Sequence, residues 1–410
     1  MQSESRKARN LLPFFLVFSL EFIINNLAHP VTPAIIKNLH LGDYMFGLAF
    51  ASMAVTNFLF SPFWGKISRR MRTSTAMALS CAGYAAGQAL FMLAKSELAI
   101  VVARAFAGAF AAGYMTISMI YTADSSPAGK GGRNLTILAT INVVASAFGY
   151  LLGGVLGDVS IRLCFLVQIF GMAGCGLLFF AVLRRREDVP QKEPQTLGAL
   201  VREANPFSAF LAIRPYLCRA LVALFGAILC AFIAYNAFEQ CFNYYMIDQY
   251  GFSTSYNGAV KAATGIVSLL ANLTVCMAIL RRKRIDLPTA LLLALCAAST
   301  LLMLQMPTLG LFLAAAMLFF GCAAVFQPLL QEQVAARSRA LSEGSGVVMG
   351  FYNAVKSLGM IAGALTAGFL YGLSPDFPFF LAALFFALAC LLALLYTRLH
   401  RRENSAETID

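Results

Sequence analysis

Residues 163–186 read LCFLVQIFGMAGCGLLFFAVLRRR: an uncharged apolar run closed by Arg184, Arg185 and Arg186. At 1.5 Å rise per residue, roughly 20 apolar residues cross a ~30 Å hydrocarbon core. The run therefore reads as a transmembrane helix, and its arginines mark the end that resists translocation. Outward from it the same pattern recurs eleven times, near 11–36, 43–64, 74–94, 98–122, 134–157, 216–247, 255–280, 287–306, 308–331, 345–372 and 376–397. Composition agrees: 60% of residues are hydrophobic, 12% are charged and mean hydropathy is +0.74, against about 25% charge in a soluble domain. The expected fold class is an all-α polytopic membrane protein with twelve transmembrane helices. The first span is too long for a cleaved signal peptide, carries Glu21 and lacks a small-residue cleavage site.

The net charge of +12 raises the question of nucleic acid, and its placement argues against it. With the N-terminus inside, 25 of the 31 Lys and Arg fall on the cytoplasmic flanks, in the tails and every second loop and, for Arg219, at the inner end of the seventh span. The other loops hold only Lys37, Lys95 and Arg162, and Arg104, Lys261 and Lys356 lie within spans. That split predicts a multi-pass protein of the plasma (inner) membrane with both termini cytoplasmic and anionic lipid headgroups as neighbours. The ten cysteines fall inside spans, with no C-x-x-C and no Cys/His cluster, so no metal and no cofactor is expected.

The longest polar stretch, with Pro190, Pro194 and Pro206, separates the sixth span from the seventh. It divides the chain into an N-terminal six-helix bundle at 1–183, a cytoplasmic linker at 184–215 and a C-terminal bundle and tail at 216–410. The halves echo one another at an offset near 210. Asn142, Gly149 and Gly153 in span 5 answer to Asn353, Gly359 and Gly363 in span 11. Asn25 and His29 in span 1 answer to Asn236 and Gln240 in span 7 at an offset of 211. Parallel repeats about an axis along the membrane normal build one large class of transporters. Glycines four apart line one helix face, so Gly149 with Gly153, Gly359 with Gly363, and Gly346 with Gly350 predict smooth seams for close helix approach.

An ionisable group at mid-membrane costs at least ~2.5–3.5 kcal/mol and usually faces a partner or a polar cavity. In span 1, Glu21, Asn25 and His29 are four apart and share a face, with Glu21 ~15 Å deep. Arg104 in span 4 lies near the level of Asn25, within reach of Glu21 if the two spans are neighbours. That constellation is either a carboxylate exchanging a proton beside Arg104 or a fixed structural ion pair. In the second half Lys356 comes out near mid-depth with no obvious partner, Glu239 and Lys261 lie towards the outside, Asn236 and Gln240 add polar groups, and Gln327-Pro328 is expected to break span 10.

Gly65-Lys66-Ile67-Ser68-Arg69-Arg70-Met71-Arg72 resembles the G-x-L-S-D-R-x-G loop of the major facilitator superfamily, with Gly65, Ser68 and Arg70 matching and Arg69 and Arg72 replacing its acid and second glycine. Arg104 with Gly108 in span 4 resembles that family's R-x-x-x-G motif, implicated in proton coupling. Gly149-Tyr150-Leu151-Leu152-Gly153-Gly154 resembles the antiporter motif G-P-x-x-G-G, with Tyr150 in place of proline. Glu21, Pro30 and Pro33 are similar in spacing to the acid and prolines of tetracycline-type exporters, and Tyr121-Thr122-Ala123-Asp124 to a further motif of that group. The resemblance to the twelve-span drug:proton antiporter branch implies two six-helix bundles rocking about a central site. Glu21, Asn25, Arg104, Asn236, Gln240 and Lys356 are the coupling and substrate candidates. Gly65, Arg70, Gly108, Gly149, Gly153, Gly154, Gly359 and Gly363 are the gating and packing candidates.

The function expected is proton-coupled efflux of small hydrophobic or amphipathic compounds by a monomer, with import or export of an anionic or sugar-like metabolite as the alternative, and a non-transporting receptor or scaffold less favoured. No G-x-x-x-x-G-K-[ST] loop occurs and no catalytic constellation is visible, so neither a nucleotide-driven pump nor an enzyme is expected.

Overall fold

The computed structural model describes residues 10–68, 70–127, 130–184, 205, 207–282, 285–339 and 345–406. Arg69, most of the 184–215 connector and both extreme termini lie outside the described residues. The described secondary structure is helical throughout. In chain order it comprises α1 (Leu12–Asn25), α2 (Thr32–Asn38), α3 (Met45–Ile67), α4 (Thr73–Leu93), α5 (Glu97–Ser125), α6 (Gly131–Val159), α7 (Ile161–Arg184) and the short α8 (Ser208–Ala212). It continues with α9 (Arg219–Asp248), α10 (Thr254–Ala271), a π-helical turn (Asn272–Cys276) running into α11 (Met277–Leu280), α12 (Asp286–Leu304), α13 (Leu309–Arg339), α14 (Ser345–Tyr371) and α15 (Phe377–Ala406). Among the described residues eleven helical segments are long and apolar enough to cross a membrane, and the first span contributes the shorter apolar helix Leu12–Asn25.

That first span is broken, where one continuous helix over 11–36 was expected. α1 has 14 residues, only ~21 Å of helix, and stops at Asn25. Pro30 and Pro33 remove two backbone donors three residues apart. The Asn26 side chain adds to the break by donating its own N–H to the Phe22 carbonyl, at 2.8 Å. Span 10 shows the converse. Pro328 was expected to break it, yet α13 runs unbroken through Pro328 for 31 residues. A single missing donor leaves one carbonyl to be met by neighbours, which transmembrane helices tolerate.

Local chemistry sets other ends. Ser96 caps α5, its hydroxyl accepting from the Ala99 N–H at 3.3 Å, and Glu97 occupies the first turn where the helix dipole favours an acid. The surface is studded with large apolar side chains, among them Leu16, Leu98, Phe170 at 72% exposure and Leu177. A patchwork of that extent belongs against acyl chains, which are as apolar as leucine.

The chain clusters into two compact units. One contains residues 1–41, 52–206 and 247–265; the other contains 42–51, 207–246 and 266–410. Inside the first, α4 lies between α5 and α7, and α1 rests on α6 and α7. Inside the second, α12 lies between α13 and α15, and α14 packs on α13 and α15. The third span sits between the fourth and sixth in one unit, and the ninth between the tenth and twelfth in the other. The echo in sequence is therefore an echo in packing.

Candidate functional site

The break in the first span creates a problem that neighbouring helices solve. Carbonyls freed at the end of α1 have no water to turn to inside a bilayer. Gln168 on α7, fully buried, donates its amide to the carbonyls of Ile24 at 3.1 Å and Asn25 at 2.7 Å. The Asn25 side-chain oxygen accepts from the Tyr114 hydroxyl at 2.9 Å. Tyr84 approaches the Asn25 carbonyl at 3.5 Å and itself accepts from the Gln88 amide at 2.6 Å. Further along, the Asn257 amide donates to the Pro30 carbonyl at 3.3 Å and the Cys164 thiol to the Leu27 carbonyl at 3.3 Å. Asn25 is thus the centre of a polar cluster with Gln168, Tyr114 and Tyr84, none of them foreseen, and Gln88 behind Tyr84. A proline pair inside a span announces free carbonyls, and a lone glutamine in an otherwise apolar span is the signal that could have found the donor.

Glu21 lies one turn before Asn25. It is fully buried and, among the described residues, neither carboxyl oxygen has a hydrogen-bond partner. Cys81 on α4, Cys175 on α7, Tyr84 and Tyr114 all lie within its electrostatic reach. The expected contact with Arg104 is not made. The Arg104 guanidinium rests over the Phe91 ring, 5.2 Å from its centroid, and its Nε is buried without a partner. Tyr84 and Tyr114, packed edge to face at 5.7 Å, lie within the field of both charges. Depth along the spans said nothing about this aromatic pair.

The glycine candidates divide by what surrounds them. A Cβ on Gly149 or Gly153 would strike the Ile23 carbonyl or the Leu27 backbone on the first span, and one on Gly108 would strike the Met53 backbone of α3. Gly154 faces Thr254 and Ser255 at the start of α10, where the Thr254 hydroxyl donates to the Gly154 carbonyl at 3.0 Å and to Asp158 at 2.6 Å. Gly65 meets only the Thr116 methyl, at 3.6 Å. In the turn after α3 the Arg70 N–H donates to the Ile67 carbonyl at 2.9 Å.

In the second unit, a Cβ on Gly359 would meet Phe232 and the Leu229 carbonyl, and one on Gly363 would meet Ile233 and Ala237. Gly149 and Gly359, Gly153 and Gly363, and Ile23 and Ile233 all keep an offset of 210. That register sets Asn236 against Asn26, one residue from the expected match with Asn25. Asn236 is fully buried, and among the described residues neither its side-chain nitrogen nor its oxygen has a partner. The Lys356 ammonium lies over the Phe232 ring, 5.0 Å from the centroid. Gln240 donates to the neighbouring Glu239 at 3.3 Å. Lys261, which clusters with the first unit, lies over the Tyr150 ring at 5.2 Å, and His29 packs edge-on to the same ring at 5.7 Å. Among the described residues nothing lies within 4 Å of a Cβ at Gly346 or Gly350, and they form no seam there.

Known proteins share this plan. Multidrug resistance protein 1 of Bacillus subtilis (strain 168) is 22% identical over 387 residues, covering 92% of this chain and 93% of its own. Multidrug resistance protein 2 of the same organism is 23% identical, covering 88% of each. Among solved structures, a bacterial homologue of the human drug peptide transporters PepT1 and PepT2 superposes with a TM-score of 0.74 at 15% identity, covering 96% of this chain and 98% of that one. The Major Facilitator Superfamily pattern matches residues 14–356. With that match running from the broken first span to Lys356, on helices that repeat their packing in two units, the chain belongs to the major facilitator superfamily and is a membrane transporter, not an enzyme.

Proposed function

We propose that this transporter is a proton-coupled exporter of small amphipathic compounds that works by alternating access. Glu21 carries the reading. An ion pair that merely holds helices together would set the carboxylate against a cation, and Glu21 has none: Arg104 is engaged with Phe91 and both Glu21 oxygens are unpartnered. A lone carboxyl at mid-membrane depth is expensive to keep unless it works, and the work open to it is to take up and release a proton. Outward direction is supported by the relatives, of which two carry the name multidrug resistance protein and one is the quinolone resistance protein NorA of Staphylococcus aureus (strain Mu50 / ATCC 700699). In this reading the chain acts as a monomer in the plasma membrane with both termini in the cytoplasm.

The test is transport by the purified chain in vesicles under an imposed pH gradient, with a panel of fluorescent amphiphiles. Wild-type movement should collapse on adding a protonophore. Glu21→Gln keeps the shape of the side chain and removes the titrating group, so it should still bind compound and exchange it down a gradient while losing proton-driven accumulation. Full coupling in that variant would falsify the assignment.

A further inference from the structure

The register of 210 exposes a difference between the halves. In the first, Asn26 is satisfied: its amide donates to the Phe22 carbonyl at 2.8 Å and to the Ser146 hydroxyl at 3.1 Å. Adding 210 to Phe22, Asn26 and Ser146 gives Phe232, Asn236 and Lys356. The second half therefore keeps the phenylalanine and the asparagine and replaces the serine with a lysine. Asn236 there makes neither of the bonds that Asn26 makes, and among the described residues both its polar atoms are buried and unpaired. Lys356 has its ammonium over the Phe232 ring, and among the described residues it has neither an ion pair nor a hydrogen bond. Phe232 and Asn236 stand one turn apart on the same face of α9. Lys356 precedes Gly359 by one turn, on the face of α14 that the glycine seam presses against α9.

We propose that Lys356 and Asn236 form a subsite for an oxyanion, in the simplest case the carboxylate head of the transported amphiphile. The proposal rests on the export reading above and adds the charge of the cargo to it. An ammonium offers three donors and no acceptor, and an asparagine amide offers two donors. One anionic oxygen, or the two of a carboxylate, accepts from both residues at once through charge-assisted bonds. A cationic head would meet Lys356 as a like charge, and a neutral amide would leave the ammonium uncompensated. Phe232 and Phe326, with ring centroids 6.4 Å apart, supply an aromatic wall for the apolar part. Glu21, on the first span, is left for the proton.

Three probes with one naphthylhexyl skeleton, ending in a carboxylate, a primary amide or a trimethylammonium group, test this by calorimetric titration of the purified full chain in lipid nanodiscs. The carboxylate should bind at least about tenfold more tightly than the amide, with no saturable binding of the ammonium compound. Lys356→Gln should bring carboxylate and amide within about twofold, whereas Lys356→Arg keeps the preference. If Lys356→Gln does not fold, Asn236→Leu serves, and should weaken carboxylate binding by about fivefold or more. Equal binding of the probes, binding of none, or a preference untouched by these variants overturns the proposal. Vesicle transport separates the two readings. Carboxylate binding without proton-driven movement removes the exporter and leaves the subsite. Pumping of the ammonium probe, unchanged in Lys356→Gln, removes the subsite and leaves the exporter.

Discussion

Alanine placed at two glycines of one helix should move stability in opposite directions. Gly346 with Gly350 and Gly359 with Gly363 share the same spacing on α14, yet their surroundings differ. A Cβ at Gly363 would lie 3.0 Å from the Ile233 carbonyl carbon and 3.1 Å from the Ala237 nitrogen, and closer still to the Ile233 oxygen. These are backbone atoms of α9, so no side chain can swing aside and the helices must part. Overpacking of this kind costs about 1–3 kcal/mol. At Gly346 nothing lies within 4 Å, so Gly346→Ala keeps every contact and gains about 0.5–1 kcal/mol from the lower backbone entropy of the unfolded chain. At about 2–4 °C per kcal/mol for a unit of this size, Gly363→Ala should melt roughly 2–12 °C lower and Gly346→Ala roughly 1–4 °C higher. The readout is built into the chain: the ten cysteines are free and most are buried, so a thiol-reactive fluorophore reports unfolding during a thermal ramp. Shifts of the same sign, or a Gly363→Ala protein as stable as the parent, would refute the claim that the seam is set by backbone contact.

Two further outcomes follow from single contacts. Gln168→Leu keeps the bulk of the side chain but removes the shorter bonds to the Ile24 and Asn25 carbonyls, leaving them the Leu27 N–H at 3.2 Å and the Tyr84 hydroxyl at 3.5 Å; each lost hydrogen bond costs about 0.5–1.5 kcal/mol, so the same ramp should show a loss of about 1–3 kcal/mol for the two, and no loss would mean the break is satisfied elsewhere. Lys37 and Asp248 form an ion pair whose lysine is 37% exposed; Lys37→Gln should cost less than about 1 kcal/mol, and the difference from wild type should vanish at 1 M salt, where the screening length is about 3 Å.

Hydropathy and the placement of Arg and Lys made the span plan legible, because a bilayer forces each crossing to be a long apolar helix. They did not distinguish Pro30 and Pro33, which end α1, from Pro328, which α13 absorbs. That outcome depends on how many donors are lost in succession and on whether a Gln168 waits on another helix. The glycine spacing was visible at 346–350 and at 359–363 alike, but spacing specifies a face and not what the face meets. Depth counting placed Arg104 near the level of Asn25, within reach of Glu21. It carried no information about direction around the helix axis, and the aromatic residues Phe91, Tyr84 and Tyr114 decided that Arg104 turns elsewhere. The repeat was legible to within one residue; only contacts to the Ile23 and Ile233 carbonyls fixed it at 210.

That single residue matters because it determines which side chains are equivalents. At 211, Asn236 answers to Asn25, whose carbonyl and side chain are pinned by Gln168 and Tyr114, and its orphaned amide looks like an unexplained defect. At 210, it answers to Asn26, and of the two bonds that Asn26 makes the one to Ser146 goes with the replacement of that serine by Lys356, while the one to the carbonyl a turn earlier is not made either. Backbone approach repeats in both halves because it is set by glycines, which any scaffold of this kind needs for close helix packing. Polar side chains at equivalent points do not repeat: the first half has an unpaired acid at Glu21 where the second has Ala231, and the second has an unpaired base at Lys356 where the first has Ser146. Shared packing with divergent charge separates scaffold from chemistry within one chain. On the proposed reading the proton and the anion belong to different halves, so a variant at either charge should impair its own ligand without first disturbing the other's.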